Sequence, residues 1–142
     1  MNPGDHQVVI YWDASAILSA LIKDVHSEKA QEWGNREGIH LFSTLAYAEV
    51  IVVISRMQRE RMMADVLVEA ALRTLKTGPW RPLNLGPTSA HIMGLAKRWS
   101  LRGADLWHLS CAKSVREHLP ELKVLTFDMK LKAAARGEGI NL

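Results

Sequence analysis

Gln7-Val8-Val9-Ile10-Tyr11-Trp12-Asp13 sets the reading of the rest of the chain. Six uncharged residues, mostly β-branched or aromatic, are consistent with a short buried strand. The run ends on an acid, and Ala14 to Ile22 then reads as a helix. Strand, acid and helix in that order are the opening of an α/β unit.

Outward from this unit the alternation continues. Asp24 or Ser27 can cap a helix to about Asn35, with Gly34 and Gly38 marking its end. Ile39 to Phe42 is a second strand, and Ser43 or Thr44 can cap a long helix through Gln58. A further helix spans Met62 to Lys76, stopped by Gly78-Pro79. Trp80 to Leu85 reads as a strand, and Pro87 at a first helical position opens a helix to about Ser100. After Gly103 a helix covers Asp105 to His118, Lys123 to Phe127 is a strand, and Asp128 to Arg136 is a helix. Ile140 to Leu142 completes the series as a short last strand. The pattern predicts an α/β fold, with a short, mostly parallel central sheet of four or five strands flanked by helices. In such sheets ligands gather beyond the carboxyl ends of the strands.

Two acids stand there. Asp13 follows the first strand and Asp128 follows the strand ending at Phe127. Parallel strands would set them at one sheet edge, one or two strand spacings of ~4.8 Å apart. Asp105 stands at the start of a helix, and Glu49 is the only charge between Leu45 and Ile54. A helix so apolar is expected to be buried on most faces, and a buried unpaired carboxylate there costs several kcal/mol. A cation shared with other carboxylates is one way to satisfy Glu49. Converging acids raise one another's pKa unless positive charge is supplied, and hard divalent cations take oxygen ligands. Such a site can activate water for phosphodiester cleavage. The same acids also suit plain structural roles, Asp13 and Asp128 as helix N-caps and Asp105 as a first-turn acid. Spacing alone leaves both readings open.

Composition narrows the function classes. The 142 residues carry a net charge of +3 with 48% hydrophobic and 23% charged side chains, which suits one globular domain. Residues 1–49 hold three basic and seven acidic side chains, whereas residues 97–142 hold nine and five. A single Cys111 excludes an internal disulfide framework and a cysteine zinc site. Met1 to His6 has no basic segment leading into a long apolar run, so no signal peptide is expected, and a cytoplasmic protein without a membrane segment is. Nucleotide-binding glycine loops and the Gly-x-Ser-x-Gly elbow do not occur. An Asp-x-Asp phosphatase would need an acid where Ser15 stands. A phospho-accepting receiver domain usually has two adjacent early acids; here the early acid is single, and Glu49 has no role in that scheme.

Four segments, in order, resemble the PIN-domain family, and specifically the VapC-like ribonuclease toxins. They are Tyr11-Trp12-Asp13-Ala14-Ser15-Ala16-Ile17-Leu18, Ser43-Thr44-Leu45-Ala46-Tyr47-Ala48-Glu49-Val50, Gly103-Ala104-Asp105-Leu106-Trp107-His108-Leu109-Ser110-Cys111-Ala112 and Leu125-Thr126-Phe127-Asp128 with its Ala-rich continuation. Trp107 stands where the family usually has an aliphatic residue, and Ser110 where it usually has Ala. The resemblance implies one PIN domain over residues 1–142 and an endoribonuclease dependent on Mg²⁺ or Mn²⁺. Water activated at the metal would attack phosphorus, leaving a 5′-phosphate and a 3′-hydroxyl. Asp13, Glu49, Asp105 and Asp128 match the family's metal-holding acids, while Ser15 and Thr126 match supporting hydroxyls. The implied partners are an RNA substrate, a cognate antitoxin and a second copy in a homodimer. The competing function is a non-catalytic PIN-fold module that binds RNA or protein.

Other residues carry weaker expectations. His108, three positions after Asp105, reads as a hydrogen-bonded structural histidine on the same helix face. Trp12 reads as core, while Trp99 and Trp107 suit packing or base stacking. Lys97, Arg98, Arg102, Lys130 and Lys132 are candidates for substrate contacts, and Arg56, Arg59 and Arg61 for phosphate binding or the end of a solvated helix. Met57, Met62 and Met63 suit either core or an adaptable contact surface, and Cys111 reads as buried and inert.

Overall fold

β1 (Val8–Trp12) runs through the middle of a four-stranded parallel sheet of order β3-β2-β1-β4, in a computed structural model that describes residues 7–142. Met1 to His6, on which the signal-peptide expectation rests, lie outside the described residues. β2 (Gly38–Ser43) and β4 (Lys123–Leu125) pair with β1 on either side, and β3 (Trp80–Leu83) lies outside β2. Pro82 is tolerated in β3 because that strand is at an edge.

Alternation along β1 divides the core. Ile10 and Trp12 point into one layer, with α1 (Ala14–Leu21), α2 (Ser27–Gly34), α3 (Thr44–Arg59) and α4 (Asp65–Thr77). Val9 and Tyr11 point into the other, against α5 (Ser89–Arg98), α6 (Gly103–Arg116) and α7 (Met129–Gly137). Both faces are covered, so β1 can be apolar throughout. Gly38 holds φ at 146°, and a Cβ there would fall 2.0 Å from the Val8 carbonyl oxygen, so only glycine lets β2 start against β1.

The expected α/β architecture is present, with corrections at element ends. Ser43 caps α3, its Oγ accepting from Ala46 N at 3.0 Å. Neither Asp24 nor Ser27 caps α2; His26 holds that position without a side-chain bond, and Asp24 ties the preceding turn by accepting from Ser19 and His26 N. α4 starts at Asp65 rather than Met62. α5 starts at Ser89 behind the Thr88 cap, so Pro87 precedes the helix instead of opening it. α6 starts at Gly103, which places Asp105 inside its first turn. The fifth strand reduces to a bridge between Asn141 and Val124.

Candidate active site

Asp13 is where the local and tertiary demands meet. As the N-cap of α1 it accepts from Ala16 N at 2.9 Å and from Ser15 Oγ at 2.7 Å, both on Oδ1. Its other oxygen accepts from Thr126 Oγ1 at 2.5 Å, across 113 positions of sequence. With two hydroxyls and one amide directed at it, this 4%-exposed carboxylate has a fixed orientation. Burial pushes its pKa above the usual carboxylate value, against the pull of Thr126, Ser15 and Ala16.

The same hydroxyls shape the segment after β4. Ser15 Oγ accepts from Phe127 N at 2.9 Å, and Thr126 Oγ1 accepts from Asp128 N at 3.0 Å. The strand therefore ends at Leu125, two residues earlier than its β-forming residues suggest, because Thr126 and Phe127 bond to the site instead of to a strand. Asp128 caps α7 by accepting from Leu131 N at 2.9 Å on Oδ1. The cap reading of Asp13 and Asp128 is thus met, and capping leaves Asp128 Oδ2 without a bond to the helix it caps.

Glu49 has a partner that sequence spacing did not show. His108 Nε2 stands 2.6 Å from Glu49 Oε1, and His108 Nδ1 stands 2.7 Å from the Tyr11 hydroxyl. Burial raises the pKa of Tyr11 well above its usual value, so its proton stays on. The donor chain that satisfies each group runs from Tyr11 O–H to Nδ1 and from Nε2–H to Glu49. His108, 2% exposed, is the hydrogen-bonded structural histidine expected, and it also positions an acid of the site. The expectation that α3 is buried on most faces is corrected: Tyr47 is 48% and Val52 61% exposed, and the Glu49 side chain is 36% exposed.

Asp105 completes the group. Its pKa is raised by burial first, then by the charges of Asp128 and Asp13, with Glu49 adding to the repulsion and His108 opposing it. The other three acids therefore all bear on Asp105 electrostatically. Among the described residues no lysine or arginine forms an ion pair with any of them. No three His, Cys, Asp or Glu side chains there are drawn closely enough together to hold an ion as they stand. An oxygen-only set with an uncompensated negative excess fits a hard divalent cation that keeps much of its own water. All four acids are candidates to hold such an ion, directly or through its water.

Several candidate contacts are resolved differently. Arg98 is committed to Glu138, at 3.0 and 2.9 Å, and Trp99 Nε1 donates to the same carboxylate at 2.8 Å. Trp99 packs so closely on Gly137 that a Cβ there would lie 2.2 Å from its ring. Trp107 packs against the second core layer, edge-on to His108. Trp12 is fully buried and Cys111 is buried. Lys97, Arg102 and Lys130 are exposed. Arg56 and Arg59 occupy the exposed last turn of α3, where they complement its dipole. Met57, Met62 and Met63 line a surface groove of about 930 Å³ with Leu21, Ile22 and Leu67, away from all four acids. No helix among the described residues is long and apolar enough to cross a membrane.

The chain is similar to known proteins along almost its whole length. Residues 10–137 match the family model described as PIN domain. Ribonuclease VapC45 and Ribonuclease VapC49, both from Mycobacterium tuberculosis, are each 31% identical over 134 residues, spanning 92% of this chain and 92% of the relative. Among solved structures, PAE2754 from Pyrobaculum aerophilum gives a TM-score of 0.61 at 18% identity, covering 95% of this chain and 85% of its own. Mycobacterium tuberculosis VapC20, described as a sarcin-ricin loop cleaving toxin, gives 0.58 at 17% identity, covering 88% and 94%. The two solved structures bear on the fold alone.

Proposed function

The chain belongs to the PIN-domain family, and from that premise we propose that it is a divalent-metal-dependent endoribonuclease, the toxin of a toxin–antitoxin pair. The observation that carries the reading is the charge excess of Asp13, Glu49, Asp105 and Asp128 at the carboxyl end of the sheet, with no Lys or Arg among the described residues paired to any of them. Asp13, Glu49, Asp105 and Asp128 would hold the cation, Mg²⁺ or Mn²⁺, directly or through water. When bound, the ion supplies Lewis acidity to the scissile phosphate and lowers the pKa of water at the site. Ser15 and Thr126 fix both oxygens of Asp13. Tyr11 and His108 fix Glu49.

The family match over residues 10–137 and the single sheet support one PIN domain across residues 1–142. The uncovered apolar side chains of α3, Tyr47 and Val52, give an antitoxin or a second copy in a homodimer something to bury. A cytoplasmic location follows from the proposed RNA substrate. The spread of the acids, short of a closed coordination shell, keeps a non-catalytic RNA- or protein-binding module as the second reading.

Purified protein free of any antitoxin, incubated with total RNA, is expected to cut at defined sites with Mg²⁺ or Mn²⁺ and to stop with EDTA. Cleavage unchanged in Asp105→Asn would sink the carboxylate mechanism; RNA bound and never cut would establish the module.

A further inference from the structure

A second groove, of about 530 Å³, is lined by His26, Lys29, Phe127, Met129, Lys132 and Arg136, and Phe127 and Met129 flank Asp128 in the chain. Two lysines and an arginine line it and no acid does. Among the described residues Lys29 has an ion-pair contact only with Glu32, at 4.0 Å between two side chains more than 60% exposed, which holds it weakly. Lys132 and Arg136 are one helical turn apart on α7 and present their charges along one line.

The groove also carries an aromatic platform. The His26 imidazole lies parallel to the Phe127 ring, at 4.4 Å between centroids and 4° between planes. His26 is exposed and Phe127 half-buried, so the outer face of the imidazole is open to a third flat ring. Met129, 84% exposed, adds an apolar edge. Phe127 sits between Thr126 and Asp128 in the chain, and its amide is pinned by Ser15 Oγ at 2.9 Å. The platform is thus tied to the hydroxyls that orient Asp13, one residue from an acid of the site.

A row of cations beside a stacking surface is the arrangement that holds a single-stranded polynucleotide, the charges taking phosphates and the rings taking a base. A peptide partner of acidic character would use the cations but leave the stacked pair without a purpose. Resting on the ribonuclease reading above, the geometry points to this groove as the substrate subsite flanking the cleaved bond. An unpaired nucleotide next to the scissile phosphate stacks on His26, and Lys29, Lys132 and Arg136 take the phosphates that follow. The stack, tolerant of any base, selects for an unpaired nucleotide and not for a particular sequence.

The test uses the full-length protein, a fluorescein-labelled single-stranded RNA and anisotropy titrations in EDTA at several salt concentrations. Lys29→Gln/Lys132→Gln/Arg136→Gln removes three phosphate partners, so the slope of log K against log salt is expected to fall by about 2. His26→Ala is expected to weaken binding roughly five- to a hundred-fold, the range for losing one stacked base, and His26→Phe to restore it. All four residues lie on the surface of the groove, and far-ultraviolet circular dichroism checks that the variants fold. In Mg²⁺, the variants should raise KM with kcat nearly unchanged. Unchanged affinity and salt slope overturn the assignment and leave the groove to a protein partner. Metal-dependent cleavage by the parent protein, measured alongside, separates that result from failure of the ribonuclease reading; a parent that neither binds nor cuts RNA overturns both.

Discussion

His108 joins Tyr11 to Glu49 through its two ring nitrogens, at 2.7 and 2.6 Å, and so ties the middle of the sheet to an acid that lies 59 positions from the histidine in sequence. The imidazole is almost fully buried, whereas Glu49 is partly hydrated, so the histidine is the fixed end of the pair. Partners that orient metal-site carboxylates change metal affinity or activity by about 10–100-fold when removed. Tyr11→Phe is expected to cost about 1 kcal/mol of stability for the lost bond. The larger effect falls on the metal concentration needed for half-maximal cleavage, which should rise within that range. Titrating Mg²⁺ against initial cleavage rate for the variant and its parent checks this, and an unchanged midpoint would show that Glu49 needs no such support.

Asp105 makes the opposite kind of prediction. Burial and the neighbouring charges of Asp128, Asp13 and Glu49 raise its pKa, so in the metal-free protein its ionised form is disfavoured. For a raised carboxyl, the favourable term is complete below the unfolded value, near 4, and is lost as pH rises through the folded value. Metal-free protein should therefore lose stability across that window as the site ionises. Asp105→Asn removes the repulsion, so at pH 7 its melting temperature without metal should exceed the parent's, while cleavage disappears. Added Mg²⁺ should raise the parent's melting temperature and move the variant's much less. Thermal melts with and without metal decide it.

The parts of the site legible in sequence are those signalled locally. The apolar run into Asp13 and the Asp128 cap ahead of an Ala-rich helix each carry their own pattern over a few residues. Where the signal is local but ambiguous, boundaries move: Gly103 reads as lying ahead of a helix that starts at Asp105, yet it is the first residue of α6, behind an Arg102 that offers no capping side chain. Thr126 and Phe127 read as strand because both are β-formers, and only tertiary bonds to Asp13 and Ser15 take them out of the sheet. Glu49 suggested a shared cation because its neighbours are apolar; the partner, His108, comes from another helix, and no spacing rule links the two. The commitment of Arg98 to Glu138, 40 positions on, was equally out of reach.

Glu138 gathers three donors from two helices. Arg98 comes first, then Trp99 and Lys113, and together they hold its carboxyl at about 2, from a usual 4.5. A lowered carboxyl contributes stability that is complete above the unfolded value and is lost as pH falls through the folded one. The window here runs from about 4.5 down to about 2. The displacement sets a ceiling of about 3 kcal/mol, and screening around Arg98, 54% exposed, reduces it to about 1–2 kcal/mol. Glu138→Gln should lose that amount at pH 7 in urea denaturation, and the gap between variant and parent should close as the pH approaches 2.

Ser110 is a polar group the fold does not use. It is fully buried on α6, and its Oγ has no hydrogen-bond partner among the described residues. The neighbouring Ser114 shows the alternative, donating to the Ser110 carbonyl at 2.9 Å and accepting from Thr88 N. An unsatisfied buried hydroxyl costs about 1–3 kcal/mol, and removing it leaves a space no larger than the oxygen itself. The PIN-like pattern usually has Ala at this position, which avoids the problem. Ser110→Ala is therefore expected to stabilise the protein by about 1 kcal/mol, seen as a higher urea midpoint at unchanged slope. Cleavage should stay at the parent's rate, because neither His108 nor Asp105 bonds to this hydroxyl. A destabilised variant would mean that Ser110 has a partner, such as an ordered water, that its removal strands.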